Sequence, residues 1–477
     1  MEPIKFIYPL VKDLSYEMIV ESIKEARKKN IDDFRKHRQM LRDFYDNNQA
    51  TLEYLFKWGF IDYKTKAILS HLPGISRNIT KKVIDRISMC YRVPPTRALL
   101  NAKDKPIKDD QYNLFIQDNP AFHPWLKNAE RRFNLLGNVL LRPSFIKDQN
   151  EMKFFIESDY IAYFTYYDPL HPIGYDIPMR VDVESSKVKQ EKWLFINDDF
   201  MFYHDQNGNA ETVGDLPDFK NPYSIAPLVD FSDFAVDDYW SLGEKNLVEA
   251  NRMLNIMTLT GMYGFHFQSF DQPYVSGADE SDIGQIRLGP HNIAFGPEGS
   301  TMSLLGYNPN FSGMTEWLGT FNQTILDDHG LQASFEDPSN IASGVALKIK
   351  NQELLENRQD KIDLFRLKEG ELLNVISAMT EYHPELKYKI PKDTKLRINF
   401  EEIEFPVTEQ EERDQYEFER KNNFTTPIEW LKSKDPDLTD DAAQELLDKN
   451  KEVNQTQVSL AGNKDNITDL LRGGKNE

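Results

Sequence analysis

The amino-acid sequence predicts an α+β fold that is mainly helical. Charged segments with apolar residues at three- and four-residue steps indicate helices in the N-terminal third and in the C-terminal half. Between Met152 and Phe231 the pattern changes to aromatic and β-branched runs with partial period-two alternation, which is typical of strands. Gly264 to Asn310 holds seven glycines and four prolines without a long apolar face, so we expect it to project from the core.

The composition is that of an ordinary folded protein. The chain has 477 residues, of which 40% are hydrophobic and 28% charged, so it can bury a sizeable core in two to four domains. Apolar runs are far shorter than the ~20 residues that cross a bilayer. The N-terminus has interspersed charges and no apolar core, so we expect no signal peptide. The single cysteine, Cys90, excludes an intramolecular disulfide and fits a reducing compartment.

The net charge of −20 argues against a protein that reads DNA sequence, because such proteins carry a basic surface for phosphate. Glu401 to Glu452 alone holds 17 acidic and 7 basic residues, a balance of −10. The basic cluster Lys28 to Arg38 is interrupted by Asp32 and Asp33, which favours a solvated helix face over a nucleic-acid contact. An acidic wall remains compatible with DNA that slides past it. Basic residues would neutralise phosphates, and each neutralised phosphate adds affinity and therefore drag.

The N-terminal third predicts three helical regions. Ser15 to Trp58 is charged and helix-favouring, and Ile75 to Leu99 is interpreted as a helix ended by Pro94 and Pro95. A further helix is expected around Trp125 to Leu141.

One stretch of the strand-rich region resembles the start of a calcium loop. In Asp205 to Glu211, however, Ala210 stands in place of the required glycine, and Leu216 in place of the closing glutamate. The Asn207-Gly208 pair therefore predicts a hairpin turn instead.

Two helices surround the Gly/Pro-rich stretch. Asp237 to Tyr263 predicts an outgoing helix, and Phe311 to His329 predicts a returning one that Gly330 caps. Leu331 to Ser343 has no period and is expected to be a mobile loop. Gly344 to Tyr382 then predicts one long helix with a narrow apolar stripe, which favours packing against other helices.

The C-terminal part begins where Pro384 and Pro391 end the long helix. Lys395 to Pro406 alternates as a strand should, and helical segments follow around Glu409 to Lys421 and Pro427 to Asn450. Beyond Val453 the composition predicts a loose tail.

Enzyme motifs are missing from the sequence. It contains no phosphate-binding GxxxxGK[ST] loop, no GxGxxG, no HExxH, no GxSxG and no paired CxxC, and no two histidines have metal-ligand spacing. Asp237-Asp238 and Asp327-Asp328 have the residue types that bind Mg²⁺, but helix capping and dipole effects explain both. We therefore expect no enzymatic activity, no cofactor and no metal.

Four segments carry a resemblance to a known family. They are NITKKVIDRISMCYRVPPTRAL at Asn78 to Leu99, IAPLVDFSDFAVDDYWSLGEKNLVEANRMLNIM at Ile225 to Met257, SGVALKIKNQELLENRQDKIDLFRLKEGELLNVI at Ser343 to Ile376, and KLRINFEEIEFPVTEQEE at Lys395 to Glu412. In this order and spacing they resemble the portal protein of tailed double-stranded DNA bacteriophages, the head-to-tail connector.

The resemblance implies a subunit with an α/β wing, a two-helix stem, a small α/β clip, a long wing-to-crown helix and a helical crown. Usually twelve copies form a ring at one vertex of the virion's capsid, through which double-stranded DNA passes without sequence specificity. The implied divisions are 1–231 for the N-terminal helices and β-rich wing, 232–263 and 311–330 for the stem helices, 264–310 for the clip, 331–343 for the tunnel loop, 344–383 for the long wing helix, 384–408 for the wing strand, 409–452 for the crown and 453–477 for a flexible tail.

The resemblance also implies functional residues and partners. The tunnel loop would line the channel with Gln332, Ser334, Phe335, Glu336, Asp337, Ser339 and Asn340. The clip would dock the terminase large subunit and later the head-completion adaptor or tail proteins through Gln285, Arg287, His291, Asn292 and Glu298. Major capsid and scaffolding proteins would be further partners, and no membrane is involved.

The only charged residues of the candidate tunnel loop are Glu336 and Asp337, which do not bind phosphate. Steric contact with DNA or gating of the channel is therefore favoured over phosphate binding. Two other interpretations stay open: a capsid- or scaffold-associated structural protein without a channel, and a hydrolase that uses scattered Asp and Glu.

Overall fold

The computed structural model of this chain describes most of its residues. They are 8–12, 14–28, 32–48, 77–107, 110–179, 192–205, 207–211, 218–232, 238–268, 272–276, 301–305, 311–331, 351–392, 394–403, 409–435 and 438–451. The chain divides into two compact units, a larger one of residues 1–334 with 351–403 and a smaller one of 335–350 with 404–477.

The described part of the larger unit combines eight α-helices with thirteen strands. The helices are α1 Tyr16–Lys28, α2 Asp32–Asp46, α3 Ile79–Ile87, α4 Gln111–Asp118, α5 Phe122–Leu136, α6 Lys245–Gln268, α7 Phe311–Asp327 and α8 Gln352–Tyr382. The strands are β1 Leu10–Val11, β2 Thr96–Leu100, β3 Asn138–Ile146, β4 Glu151–Glu157, β5 Ile161–Thr165, β6 Gly174–Met179, β7 Lys192–Ile196, β8 Met201–His204, β9 Ala210–Glu211, β10 Val229–Ser232, β11 Gln272–Ser276, β12 Thr301–Leu305 and β13 Lys395–Asn399.

The strands form four sheets. The largest has the order β1-β5-β6-β7-β8-β9, with β1 parallel to β5 and the other pairs antiparallel. The others are β10-β3-β4, β11-β12 and β13-β2, all antiparallel. The turn at Asn207-Gly208 joins β8 to β9 as the sequence predicts: Gly208 has φ 78°, and the Asp205 carboxylate accepts a hydrogen bond from the Asn207 N–H at 2.8 Å.

Helix α8 runs through the main core. Its residues Phe365, Leu372 and Ile376 have no exposed surface, and the Phe365 ring contacts those of Tyr91 and Phe231. Burial of this stripe, rather than the polar composition of the helix, accounts for its stability.

The region interpreted as one helix from Ile75 to Leu99 is a helix followed by a strand. Helix α3 begins after Asn78, whose side chain accepts from the Lys81 N–H at 2.8 Å, and it ends at Ile87. Residues Thr96–Leu100 then form β2, because they pair with β13. The helix expected over Trp125 to Leu141 likewise ends at Leu136, where Gly137 has φ 79°, and β3 follows.

Other predicted boundaries differ as well, and one of them is the end of the outgoing helix, which lies at Gln268 and not at Tyr263. Ser15 to Trp58 contains two helices, α1 and α2, and residues 49–58 lie outside the described part. The outgoing helix begins at Lys245 and not at Asp237, because the side chains of Tyr239 and Trp240 are buried in an aromatic cluster ahead of it. Helix α8 begins at Gln352 and not at Gly344, since Asn351 has non-helical angles of φ −107° and ψ 14°. Residues 344–350 lie outside the described part.

The described part of the smaller unit is helical. It contains α9 Glu409–Lys421, α10 Pro427–Lys434 and α11 at 440–451. Thr426 and Glu429 form a reciprocal capping box that starts α10. The Tyr416 and Trp430 rings lie 4.6 Å apart and pack α9 against α10.

Candidate functional site

The candidate residues of the sequence analysis fall on two segments, the tunnel-loop set within 332–340 and the clip set within 285–298. Both lie outside the described residues. The structure describes the helices and strands on either side of each segment, and these elements fix the positions at which each segment begins and ends.

Helices α6 and α7 form an antiparallel pair. Glu244, just before α6, lies near the end of α7, where its carboxylate is 3.3 Å from Nε2 of His329. Near the other end, Gly261 of α6 lies so close to Met314 that a Cβ on the glycine would be 1.9 Å from the methionine Cε. The end of the Met314 side chain therefore fills the space beside Gly261.

Strands β11 and β12 adjoin the far end of the helix pair. Strand β11 follows α6, strand β12 precedes α7, and the two pair from Gln272↔Leu305 to Ser276↔Thr301. The clip candidates thus belong to a segment whose two flanking residues, Ser276 and Thr301, are held opposite each other.

The residues on either side of the candidate tunnel loop also lie close together. Gly330 has φ 66°, and the Leu331 N–H donates to the Leu326 carbonyl at 2.8 Å, which terminates α7. A Cβ on Gly330 would lie 3.2 Å from Cδ of Glu353 at the start of α8. Leu331 and Asn351, on either side of the candidate tunnel loop, are both buried.

Two asparagines anchor α6 to the N-terminal helices. The side chain of Asn255 accepts from the Arg77 N–H at 2.9 Å and donates to the Arg77 carbonyl at 3.3 Å. One turn earlier, Asn251 accepts from the Ile79 N–H at 3.4 Å. The sequence analysis missed these residues; two asparagines four positions apart, on one side of the helix, were the available signal.

Helix α7 exposes an aromatic surface. Trp317 is 42% exposed, and its ring stacks on that of Phe321 with centroids 5.0 Å apart. Of this helix only Ile325 and Leu326 are buried among the residues whose side chains the structure describes. Its sequence contains no Lys or Arg, so this surface suits contact with protein and not with phosphate.

A buried ion pair fixes α8 to the start of β2. Glu369 is fully buried and pairs with Arg97, and it also accepts a hydrogen bond from the Tyr91 hydroxyl at 2.9 Å. Burial, with the nearby Glu369 carboxylate, raises the pKa of Tyr91 well above its usual value, so this hydroxyl is a donor and not a base. We interpret this cluster as structural.

The carboxylate pairs considered for Mg²⁺ do not form a metal site in the described structure. Asp327 and Asp328 are exposed at the end of α7, Asp238 accepts from the Tyr8 hydroxyl at 3.3 Å, and Asp237 lies outside the described residues. Across the described ranges, no group of three His, Cys, Asp or Glu side chains is arranged to hold a metal ion. Nor does any described helix have the length and apolar character to span a membrane.

Comparison with known proteins gives weak structural likenesses. No family model matches the chain, and no curated protein matches it. One similar solved structure is a chain from the neck of an empty gene transfer agent particle computed with C6 symmetry: TM-score 0.37, 13% identity, covering 75% of this chain and 89% of that one. Another is a chain from the virion of a native gene transfer agent particle, with TM-score 0.36, 12% identity, and coverage of 78% and 92%. Both scores are low, and we draw no conclusion about function from them.

Proposed function

We propose that this chain is a structural subunit of a phage-type virion, namely a portal protein. It assembles as a ring, usually of twelve copies, at one capsid vertex, and double-stranded DNA passes through the ring during packaging and ejection. The observation that carries the proposal is the antiparallel pair α6 and α7, with one candidate segment between paired strands at its far end and the other between α7 and α8.

The exposed surface of α7 supports assembly with further copies. In the single chain, Trp317 and its stacked partner Phe321 lie on a helix of which little is buried. Closed rings require each subunit to present one surface to a different surface of its neighbour. Phe321 packs against the subunit's own core, and Trp317, which is 42% exposed, is the part of the stack that meets this requirement.

The charge distribution supports a conduit that does not hold DNA. Helix α7 has no basic residue, and Leu331 to Ser343 has only Glu336 and Asp337 as charged residues. Each phosphate neutralised by Lys or Arg adds affinity that depends on salt, so a wall without these residues lets DNA move.

The clip candidates at 285–298 are the proposed docking surface for the terminase large subunit and, later, for head-completion or tail proteins.

Electron microscopy of the purified full chain tests the ring. We expect closed rings with a central hole, and Trp317→Asp should shift the population to monomers, while Trp317→Phe should keep the rings. Monomers or sheets without a hole at high concentration would favour the alternative, a capsid- or scaffold-associated structural protein without a channel.

A deletion tests the loop. Removing Gln332 to Asn340 should leave the rings intact but impair DNA packaging or retention; loss of the rings themselves would contradict the assignment. A nuclease assay with divalent metal tests the alternative that the chain is a hydrolase. Metal-dependent cleavage of DNA that Asp327→Ala abolishes would overturn the proposed structural role.

A further inference from the structure

Strand β4 has an open edge. In the sheet β10-β3-β4 it pairs on one side with β3 over Glu151 to Glu157, and no strand of the described residues pairs with its other side. Within the same described ranges, no side chain forms a hydrogen bond to the main chain of β4. An open edge presents a row of main-chain N–H and C=O groups with which another strand can pair.

The edge of β2, by contrast, is closed by other residues of the chain. The Leu99 N–H donates to the Asp110 carboxylate at 3.0 Å, and the Leu99 carbonyl accepts from the Ile107 N–H at 2.9 Å. The Arg97 carbonyl accepts from the side-chain amide of Asn113 at 2.8 Å. Strand β4 is longer than β2 and has no such contacts within the described residues, so its edge is available to a partner.

The pairing with β3 indicates which groups of β4 point outward. Phe154 lies opposite Pro143, which has no N–H to donate. In an antiparallel ladder, hydrogen-bonded pairs alternate with pairs whose main-chain groups point away from each other, and a proline suits the second kind. The N–H and C=O groups of Met152, Phe154 and Ile156 therefore point to the open edge. These three residues can bond to a further strand without losing their place beside β3.

A groove of about 740 Å³ follows this edge. All six residues from Glu151 to Ile156 line it, whereas a groove over one face of the strand would touch only every second residue. Its other wall is the turn between α4 and α5 with the start of α5, and it includes the exposed Pro120 and Pro124. Trp125 of α5 contacts Phe154 of β4, with ring centroids 4.9 Å apart. The groove therefore offers apolar surface next to the open main chain.

The charged side chains of the groove favour a basic occupant. Its lining includes the carboxylates of Asp118 and Glu151 and the ammonium of Lys153. Lys153 lies 2.9 Å from Glu151 on the same strand, and Asp118 accepts from the Tyr388 hydroxyl. Both carboxylates are nevertheless more than half exposed, at 54% for Asp118 and 60% for Glu151. A Lys or Arg on the occupant can therefore form a cross-strand pair of opposite charge.

We propose that the open edge of β4 binds an extended, basic segment of a partner protein, which adds a fourth strand to the sheet β10-β3-β4. The main chain of that segment pairs with Met152, Phe154 and Ile156. Its apolar side chains contact Pro120 and Pro124 in the groove, and its basic side chains lie near the carboxylates. This surface is separate from α7 and from the two candidate segments, so failure of the inference would leave the proposed function untouched.

Fluorescence polarisation of the full chain with the labelled heptapeptide Lys-Val-Thr-Val-Thr-Val-Lys tests the proposal. We expect saturable binding at one site per chain, and about tenfold weaker binding of Glu-Val-Thr-Val-Thr-Val-Glu, which has the same apolar face. Because the N–H groups of a strand alternate between its two edges, main-chain methylation of either the valine or the threonine nitrogens should weaken binding about tenfold, while methylation of the other set should have little effect. Absence of saturable binding would overturn the proposal. Equal binding of the two methylated peptides, which have the same charge, would also overturn it.

Variants of the chain locate the site. Asn128 is exposed on α5 and lines the groove, so Asn128→Trp should obstruct it and weaken binding about tenfold. Asn374→Trp makes the same change at an exposed position of α8 outside the groove and should leave binding unchanged. Equal affinities of the two variants would contradict the assigned site.

Hydrogen exchange measured by mass spectrometry identifies the occupant of the edge. The heptapeptide should slow exchange in the segment Glu151 to Glu157, where the outward N–H groups are open before it binds. Exchange in this segment that is already slow in the assembled chain, and fast in the dilute monomer, would mean that a second copy of the chain covers the edge. That result would overturn the assignment to a partner protein.

Discussion

Nε2 of His329 lies 3.3 Å from the carboxylate of Glu244, while its Nδ1 lies 2.9 Å from the Ile325 carbonyl. Both ring nitrogens therefore face acceptors, and a protonated imidazole can donate to both. The hydrogen bond to Glu244 raises the pKa of His329 above its usual value. This contact joins the end of α7 to the start of α6.

The first prediction is a pH-dependent stability of this junction. For a histidine whose folded pKa is raised, the stabilisation is fully present below the ordinary value of about 6.5 and is lost as the pH rises through the folded value. His329→Asn should therefore lower the free energy of unfolding by up to about 1 kcal/mol at pH 6 and by much less at pH 8. Denaturant titrations at both pH values check this, with Glu244→Gln as the matched variant. An equal loss at both pH values would contradict the role of the charged imidazole.

The second prediction concerns two glycine-to-alanine substitutions that should change the stability of the chain in opposite directions. Gly243 has φ 58°, and a Cβ there would lie 2.4 Å from the Leu135 carbonyl oxygen, which belongs to the backbone and cannot rotate away. Gly243→Ala should destabilise the chain by at least about 1–3 kcal/mol. Apart from the backbone of α8 itself and the neighbours in sequence, no atom of the described residues lies within 4 Å of the position that a Cβ would take at Gly370, so Gly370→Ala should stabilise the chain by about 0.5–1 kcal/mol. Thermal melting of both variants checks the signs, and a melting temperature that rises in Gly243→Ala would refute the steric account.

The third prediction concerns a carboxylate inside the core. Glu130 is fully buried and accepts hydrogen bonds from the N–H groups of Cys90 and Tyr91 at 2.8 and 2.9 Å. Glu130→Ala leaves two buried donors without an acceptor, so we expect a loss of about 2–5 kcal/mol in the free energy of unfolding. Glu151→Ala, which breaks an exposed pair with Lys153, should cost less than about 1 kcal/mol. Equal losses in the two variants would mean that the backbone of Cys90 and Tyr91 finds other acceptors.

The sequence predicted best those elements whose signals are local. Helix α9 has the predicted bounds of Glu409 and Lys421, and the predicted strand from Lys395 contains β13. The turn at Asn207-Gly208 follows from the conformation that this dipeptide favours. Short-range chemistry determines the helix bounds and the turn, whereas β13 also needs its distant partner β2.

Elements that depend on distant partners were not predictable in the same way. Residues Thr96–Leu100 form a strand because β13 pairs with them, and no residue near β2 in sequence reveals that partner. The late start of α6 at Lys245 has a similar cause, because the burial of Tyr239 and Trp240 among aromatic side chains outweighs the helical period. The candidate tunnel-loop and clip residues stay predictions, since they lie outside the described residues.

The pairing of β2 with β13 has a consequence for synthesis. Lys395 emerges from the ribosome about 295 residues after its partner Leu100. At about 5–20 residues per second, the edge of β2 and the apolar surface near it wait tens of seconds for completion. We expect the nascent chain to need protection during that interval, and a subunit truncated before residue 395 to aggregate instead of folding.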